Sequence, residues 1–223
     1  MAFIGDNAIE VEPVETDNIG SLANLMIAEL PGVSDLMVRQ QLGFALREFC
    51  RETDACVLAM PTEAWPNDCL AEIDRATNWW GGRYNIPAPP QGMEIGTILE
   101  LALRDGKSVP FKIATVPHPY IFTPEYVYSY EDRMAIVRFS VVPKVGGEAC
   151  PKWFKERYAE AIVAGAMFHL LSMTGKAWSN PQRAAQYGGK YHEAIGEAAY
   201  RRIGGSAVAG GTEYAIPAGG LFM

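Results

Sequence analysis

Apolar positions along this chain change their period twice, dividing it into helix, strand and helix again. Ile19, Leu22, Leu25, Met26 and Ile27 begin a three-and-four spacing that stops at Pro31-Gly32. That pattern predicts a short helix with a Pro-Gly terminator. Ser34 then stands where an N-cap is needed, with Asp35 in the first turn. Leu36, Val38, Leu42, Ala45, Leu46 and Phe49 follow on one helical face, so a second helix is expected from about 35 to 53. Val33 and Val38 flank Ser34 as a hydrophobic staple would.

The period shortens after Asp54. Cys56–Met60, Cys69–Ile73, Ile98–Leu103, Phe111–Ala114, Tyr126–Tyr128 and Ala135–Phe139 are short apolar runs parted by Pro, Gly and Asn-Asp signals. Short strands with frequent turns indicate an antiparallel β unit. Asp105-Gly106 is a hairpin signal between two of them. Ten of the 15 prolines fall between positions 61 and 143, which suits loops and strand edges rather than helices.

Helical spacing returns at Pro151, a residue suited to the first position of a helix because its missing N–H would have no partner there. Trp153, Phe154, Tyr158, Ala161, Ile162, Gly165, Ala166, His169, Leu170 and Met173 recur at three and four. They predict a helix of about 24 residues, roughly 36 Å long, closed by Gly175. Trp178-Ser179-Asn180-Pro181 reads as a turn, with Trp178 its packing anchor and Pro181 the start of the next helix. Ala184, Ala185, Tyr187, Gly188, Tyr191, Ala194, Ile195, Ala198 and Ala199 carry that helix to about Ile203, where Gly204-Gly205 ends it. The small residues Ala161, Ala164, Gly165 and Ala166 match Ala184, Ala185, Gly188 and Ala198 in composition, which permits close helix approach within a chain or across subunits. Both final helices read as apolar nearly all round, a pattern that an isolated monomer tolerates poorly.

The expected fold is therefore α+β: a four-helix bundle of two N-terminal and two C-terminal helices, with an inserted antiparallel β domain and an extended C-terminal arm. Residues 1–18 form an acidic arm without Lys or Arg, 19–54 and 150–203 the bundle, 55–149 the β insertion, and 204–223 the Gly-rich arm. That last segment holds six glycines yet also Val208, Tyr214, Ile216, Leu221, Phe222 and Met223, too apolar for an idle linker. Tyr214 and Ile216 share the period of two that strand addition to a partner's sheet edge requires.

Composition narrows the function classes. With 49% hydrophobic residues and only 20% charged, the chain can bury a core and is not disordered as a whole. The formal charge is −7, against the basic balance of a tight nucleic-acid binder. The charge is uneven: residues 1–77 are net −10, 78–150 neutral and 151–223 net +3. The N-terminus lacks the basic start and apolar run of a secretory signal. The longest apolar stretch, Ala161–Leu171, is interrupted by His169 and falls short of the ~20 residues a bilayer span needs. No membrane association is expected.

The chain carries few marks of chemistry. Cys50, Cys56, Cys69 and Cys150 form no Cys-x-x-Cys pair and have no His at ligand spacing, so neither zinc nor a disulfide framework is expected. Nucleophile-elbow, P-loop, dinucleotide and His-Glu-x-x-His patterns are absent. His118 lies between two prolines, His169 on an apolar helix, and His192 beside Glu193 on a later helix; none has a sequence partner that would make it a base. Glu48, Glu52 and Asp54 read as a solvated helix face. Trp79, Trp80, Tyr84, Tyr120, Tyr126, Tyr128 and Tyr130 read as β-unit core or contact surface, with a sugar platform as the functional alternative. No catalytic, metal or cofactor-binding residue is assigned.

Three segments in order carry a resemblance: Leu42-Gly-Phe-Ala-Leu-Arg-Glu-Phe-Cys-Arg-Glu-Thr53 before the β unit, Pro151-Lys-Trp-Phe-Lys-Glu-Arg-Tyr-Ala-Glu-Ala-Ile-Val-Ala-Gly-Ala-Met167, and Leu170–Ala185 with its Lys176-Ala-Trp-Ser-Asn-Pro181 core. Over residues 19–203 the chain resembles head-to-tail adaptor (connector) proteins of tailed bacteriophages. The resemblance implies a non-enzymatic virion protein, made in the host cytoplasm and placed at the head-tail junction. It implies a homo-oligomeric ring, commonly of twelve subunits, beneath the portal protein, with a tail nozzle or tail tube protein docking below. Double-stranded DNA would pass without tight binding, in keeping with an acidic chain. Subunit-interface candidates are Trp153, Gly165, His169, Tyr187 and Tyr191; Trp178, Asn180 and Pro181 anchor the helix turn; the arm residues from Val208 to Met223 would grip the portal. The alternatives are another tail-completion or tail-terminator protein and, in a different class, a carbohydrate-active or cell-wall-degrading module.

Overall fold

The structure, a computed structural model, describes residues 14–62, 82–85, 88–103, 111–117, 122–129, 135–203, 206–209 and 212–215. Among the described residues it is an α+β protein with four helices and small antiparallel sheets. Two compact units divide it. One holds Glu15–Leu58, Pro89–Thr97 and Phe139–Met223; the other includes Ala59–Ala88 and Ile98–Arg138, each in its described parts. Within the expected 55–149 insertion, residues 55–58, 89–97 and 139–149 fall in the unit that holds the helices.

The helical unit opens with β1 (Thr16–Asn18), a 3-10 turn (Ile19–Leu22) and α1 (Ala23–Ile27). Asn18 caps the turn by accepting from the Gly20 N–H at 2.6 Å. The expected first helix is therefore split, and it stops at Ile27 rather than running to the Pro31-Gly32 signal. Nor is the whole of 1–18 a solvated arm: β1 pairs antiparallel with β8 (Ala149–Pro151), Thr16 opposite Pro151 and Asn18 opposite Ala149. Helix α2 spans Asp35–Thr53, as the periodicity predicts, and the Ser34 side chain accepts from the Met37 N–H. Its buried stripe is Val38, Leu42, Ala45, Leu46, Phe49 and Cys50. Asp54 ends it in the left-handed conformation (φ 48°), its N–H bonded to the Cys50 carbonyl at 3.0 Å.

Helix α3 spans Lys152–Leu171, with Pro151 outside it as N-cap. At 20 residues it is about 30 Å long, four residues shorter than expected. Ser172, Met173 and Asn180 explain the early stop: their backbone N–H groups bond to the carbonyls of Phe168, Leu170 and Leu171, satisfying the end of the helix before Gly175 (φ 73°) turns the chain. Helix α4 spans Pro181–Ile203, and the Asn180 side chain accepts from the Arg183 N–H at 3.0 Å. Pro181 takes the first helical position, as expected.

Helix α3 packs against α2 and α4, and α4 against α2. Phe49, Phe154, Tyr158 and Tyr191 meet in one aromatic cluster, with Phe154 and Tyr158 centroids 4.8 Å apart. The all-round apolar reading does not hold for α4. Ala184, Gly188, Tyr191 and Ala198 are buried along one stripe, while Ala185, Gly189, Glu193, Gly196 and Tyr200 face solvent. Ala185 is thus not part of the small-residue contact.

The β elements are β2 (Val57–Thr62), β3 (Gly82–Asn85), β4 (Met93–Leu103), β5 (Phe111–Pro117), β6 (Phe122–Ser129) and β7 (Ala135–Pro143). Two three-stranded sheets run in the orders β2-β7-β4 and β3-β6-β5. The turn at Asp105-Gly106 lies outside the described residues, as does the expected strand at Cys69–Ile73. The strands flanking that turn, β4 and β5, belong to different sheets, so the local hairpin signal does not set the pairing. Pro124 sits in the central strand β6, opposite Thr115 and beyond the end of β3, where the register slips between Ala114 and Thr115. A bulge at that point spares the sheet a ladder bond that proline cannot make.

Candidate interaction surface

The residues proposed for subunit contact divide between the interior and the surface. Tyr191 is 1% exposed. Its hydroxyl donates to the Ala45 carbonyl at 2.8 Å and lies 3.2 Å from Glu48 Oε2. Burial, and next the Glu48 carboxylate, push its phenol well above the ordinary tyrosine range. Gly165 lies beneath that ring: a Cβ there would meet Tyr191 Cε2 at 2.6 Å. Both residues are therefore packed inside the chain, which removes them as contacts between subunits. The same carboxylate oxygen lies 3.3 Å from His169 Nε2, so Glu48 on α2 ties together a histidine of α3 and a tyrosine of α4.

His169, Tyr187 and Trp153 are half-buried. The Tyr187 hydroxyl lies 3.2 Å from Glu29 Oε2, which also takes Arg183 at 2.6 Å. Trp153 rests edge-on against Phe154, centroids 5.5 Å apart. Trp178 is half-buried rather than enclosed, with Lys176 Nζ 6.0 Å from its ring centroid. The indole N–H groups of Trp153 and Trp178 are both buried without an acceptor among the described residues. Pro181 starts α4 as expected, and Asn180, read from the sequence only as part of the turn anchor, caps that helix.

The arm residues divide similarly. Val208 lies on β9 (Ser206–Ala209) and Tyr214 on β10 (Thr212–Ala215), antiparallel partners with Val208 opposite Glu213 and Tyr214 opposite Ala207. The arm thus pairs with itself over these eight residues, where the sequence leads us to expect an extended arm. Ile216, Leu221, Phe222 and Met223 lie outside the described residues, as do His118, Trp79, Trp80, Tyr120 and Tyr130.

The remaining surface carries large apolar side chains exposed to solvent. Leu36 is 66% exposed, Phe44 51% and Val145 78%. Leu36 and Phe44 stand two turns apart on α2. Gly43 brings α2 against the Val145 turn, since a Cβ at Gly43 would lie 3.1 Å from the Gly147 carbonyl oxygen. Arg47 on the same helix donates to the Pro143 carbonyl and pairs with Glu94 at 2.6 Å. The helical spacing groups Leu36 with Val38 and Leu42 on one face of α2, but Leu36 is exposed while those two are buried.

Three of the cysteines, Cys50, Cys56 and Cys150, are fully buried and free. Burial, then Cys50, raises the Cys56 thiol well above its ordinary value, and burial chiefly pushes Cys150 up to about 12. Both remain neutral and unreactive at physiological pH. Among the described residues, no three His, Cys, Asp or Glu side chains are grouped to hold a metal ion, and no helix is long and apolar enough to cross a membrane.

The charged groups described mostly hold the fold together. Lys155 pairs with Asp17 at 2.7 Å and Lys152 with Glu15 at 3.1 Å, fastening β1 to the start of α3. Arg39 bridges Asp35 at 2.7 Å and Glu148 at 3.5 Å. No family model matches the chain, and no curated protein matches it.

Proposed function

We propose that this chain is a structural subunit of the head-to-tail junction of a tailed bacteriophage, an adaptor that forms a ring below the portal protein. The observation that carries the reading is the Lys176-Ala-Trp-Ser-Asn-Pro181 turn, set between two long helices and preceded, across the β elements, by the α2 segment Leu42–Thr53. In this reading the four helices form a bundle and the β elements an inserted domain. Exposed Leu36, Phe44, Val145 and Tyr200 support it, because large apolar side chains left in water by one subunit are covered when subunits associate.

A ring of such subunits, twelve in the form the resemblance implies, extends the DNA channel and offers a platform to the tail nozzle or tail tube protein. The net charge of −7 supports passage of duplex DNA without tight binding, since each neutralised phosphate would add affinity through counterion release. Within this role His169, Tyr187 and Trp153 remain available for contact between subunits, and the segment from Ser206 onward for contact with the portal.

Electron microscopy of the purified chain mixed with its portal tests the proposal. A ring stacked coaxially on the portal is the expected image. Portal particles bare of added density, with the chain left monomeric at concentrations well above micromolar, would overturn it.

A further inference from the structure

We draw no further inference here: the strongest candidate, the exposed apolar face formed by Leu36 and Phe44 on α2 beside Val145, carries nothing because no feature of the structure shows what covers it.

Discussion

Gly165 on α3 supports the ring of Tyr191 on α4, and three residues along each helix the relationship is reversed. There Gly188 of α4 faces the ring of Phe168 of α3, a Cβ at 188 falling 3.0 Å from Phe168 Cδ2. Each helix gives up a side chain where the other inserts an aromatic ring. A helical glycine costs about 1 kcal/mol relative to alanine, and here the cost is offset by burying Tyr191, whose hydroxyl reaches the Ala45 carbonyl on α2.

Gly165→Ala should therefore destabilise the chain although alanine is the better helix former. Overpacking a filled core costs about 1–3 kcal/mol, which outweighs the ~1 kcal/mol propensity gain. We expect a net loss of up to about 2 kcal/mol in urea denaturation. Gly188→Ala should cost less, because Phe168 is half-exposed and can shift. Equal or inverted effects would mean that the two contacts are not as described.

Ser140 supplies a second test. It is fully buried; its hydroxyl donates to Asp54 Oδ1 at 2.7 Å and accepts from the Thr97 N–H at 2.8 Å. Gly96 is glycine for the same reason, a Cβ there falling 2.7 Å from Ser140 Oγ. Ser140→Ala removes both bonds and leaves a backbone N–H and a carboxylate oxygen short of a partner, a loss of about 1–3 kcal/mol. Thermal melts at pH 7 should show a lower midpoint. An unchanged midpoint would mean that water replaces the hydroxyl and that the network contributes little.

Alkaline pH should destabilise the fold, and the direction follows from three buried neutral groups. Cys56, Cys150 (about 12) and Tyr191 all have native pKa values raised by burial. Unfolded thiols ionise near 8.5 and phenols near 10. Above those values the unfolded chain has released protons that the native chain still holds, so stability falls as pH rises. The stabilisation is complete below about pH 8.5 and declines from there toward pH 12. Melting temperature should be level between pH 7 and 8 and fall from pH 9 upward. Replacing Cys150 with valine should flatten part of that decline. A thiol reagent should label Cys50, Cys56 and Cys150 only after denaturation; rapid labelling of the native chain would show that they are not enclosed.

The helices were legible because their signals are local. Ser34 and Asn180 each announce a helix by a side chain that reaches a backbone N–H three residues on, and nothing distant can change that. The end of α3 was misplaced because Asn180, nine residues further on, returns to satisfy the Leu171 carbonyl. The strands β1 and β8 were invisible for the same kind of reason. Each has three residues, and their pairing joins positions more than 130 apart, with no periodicity to detect over so short a run. Gly165 and Tyr191 were both singled out, but composition alone leaves open whether small residues admit a helix of the same chain or of a neighbour. The hydroxyl bond to Ala45 decides for the same chain. Phe44 went unnoticed because its neighbours Leu42, Ala45 and Leu46 made the face seem complete without it.

The proposed role gives the C-terminal segment a test of its own. Glycines at 204, 205, 210, 211, 219 and 220 each lose much backbone entropy on ordering. A lone pair of four-residue strands such as β9 and β10 is marginal in water. A partner surface can supply what the hairpin lacks: Val208 and Tyr214, with Ile216, Leu221, Phe222 and Met223 beyond, contribute about 1.5–3 kcal/mol for each apolar side chain fully buried. The contacts that define the helical unit lie elsewhere, between α2, α3 and α4. A chain ending at Ile203 should therefore keep its helical circular dichroism and its melting temperature while losing affinity for the portal by at least a hundredfold, the equivalent of about 2.8 kcal/mol. Sedimentation of the truncated chain with portal measures the second effect and a thermal melt the first. Should the truncated chain melt early, the segment belongs to the fold; should it bind portal unchanged, the grip lies on the helices and the arm is a tether.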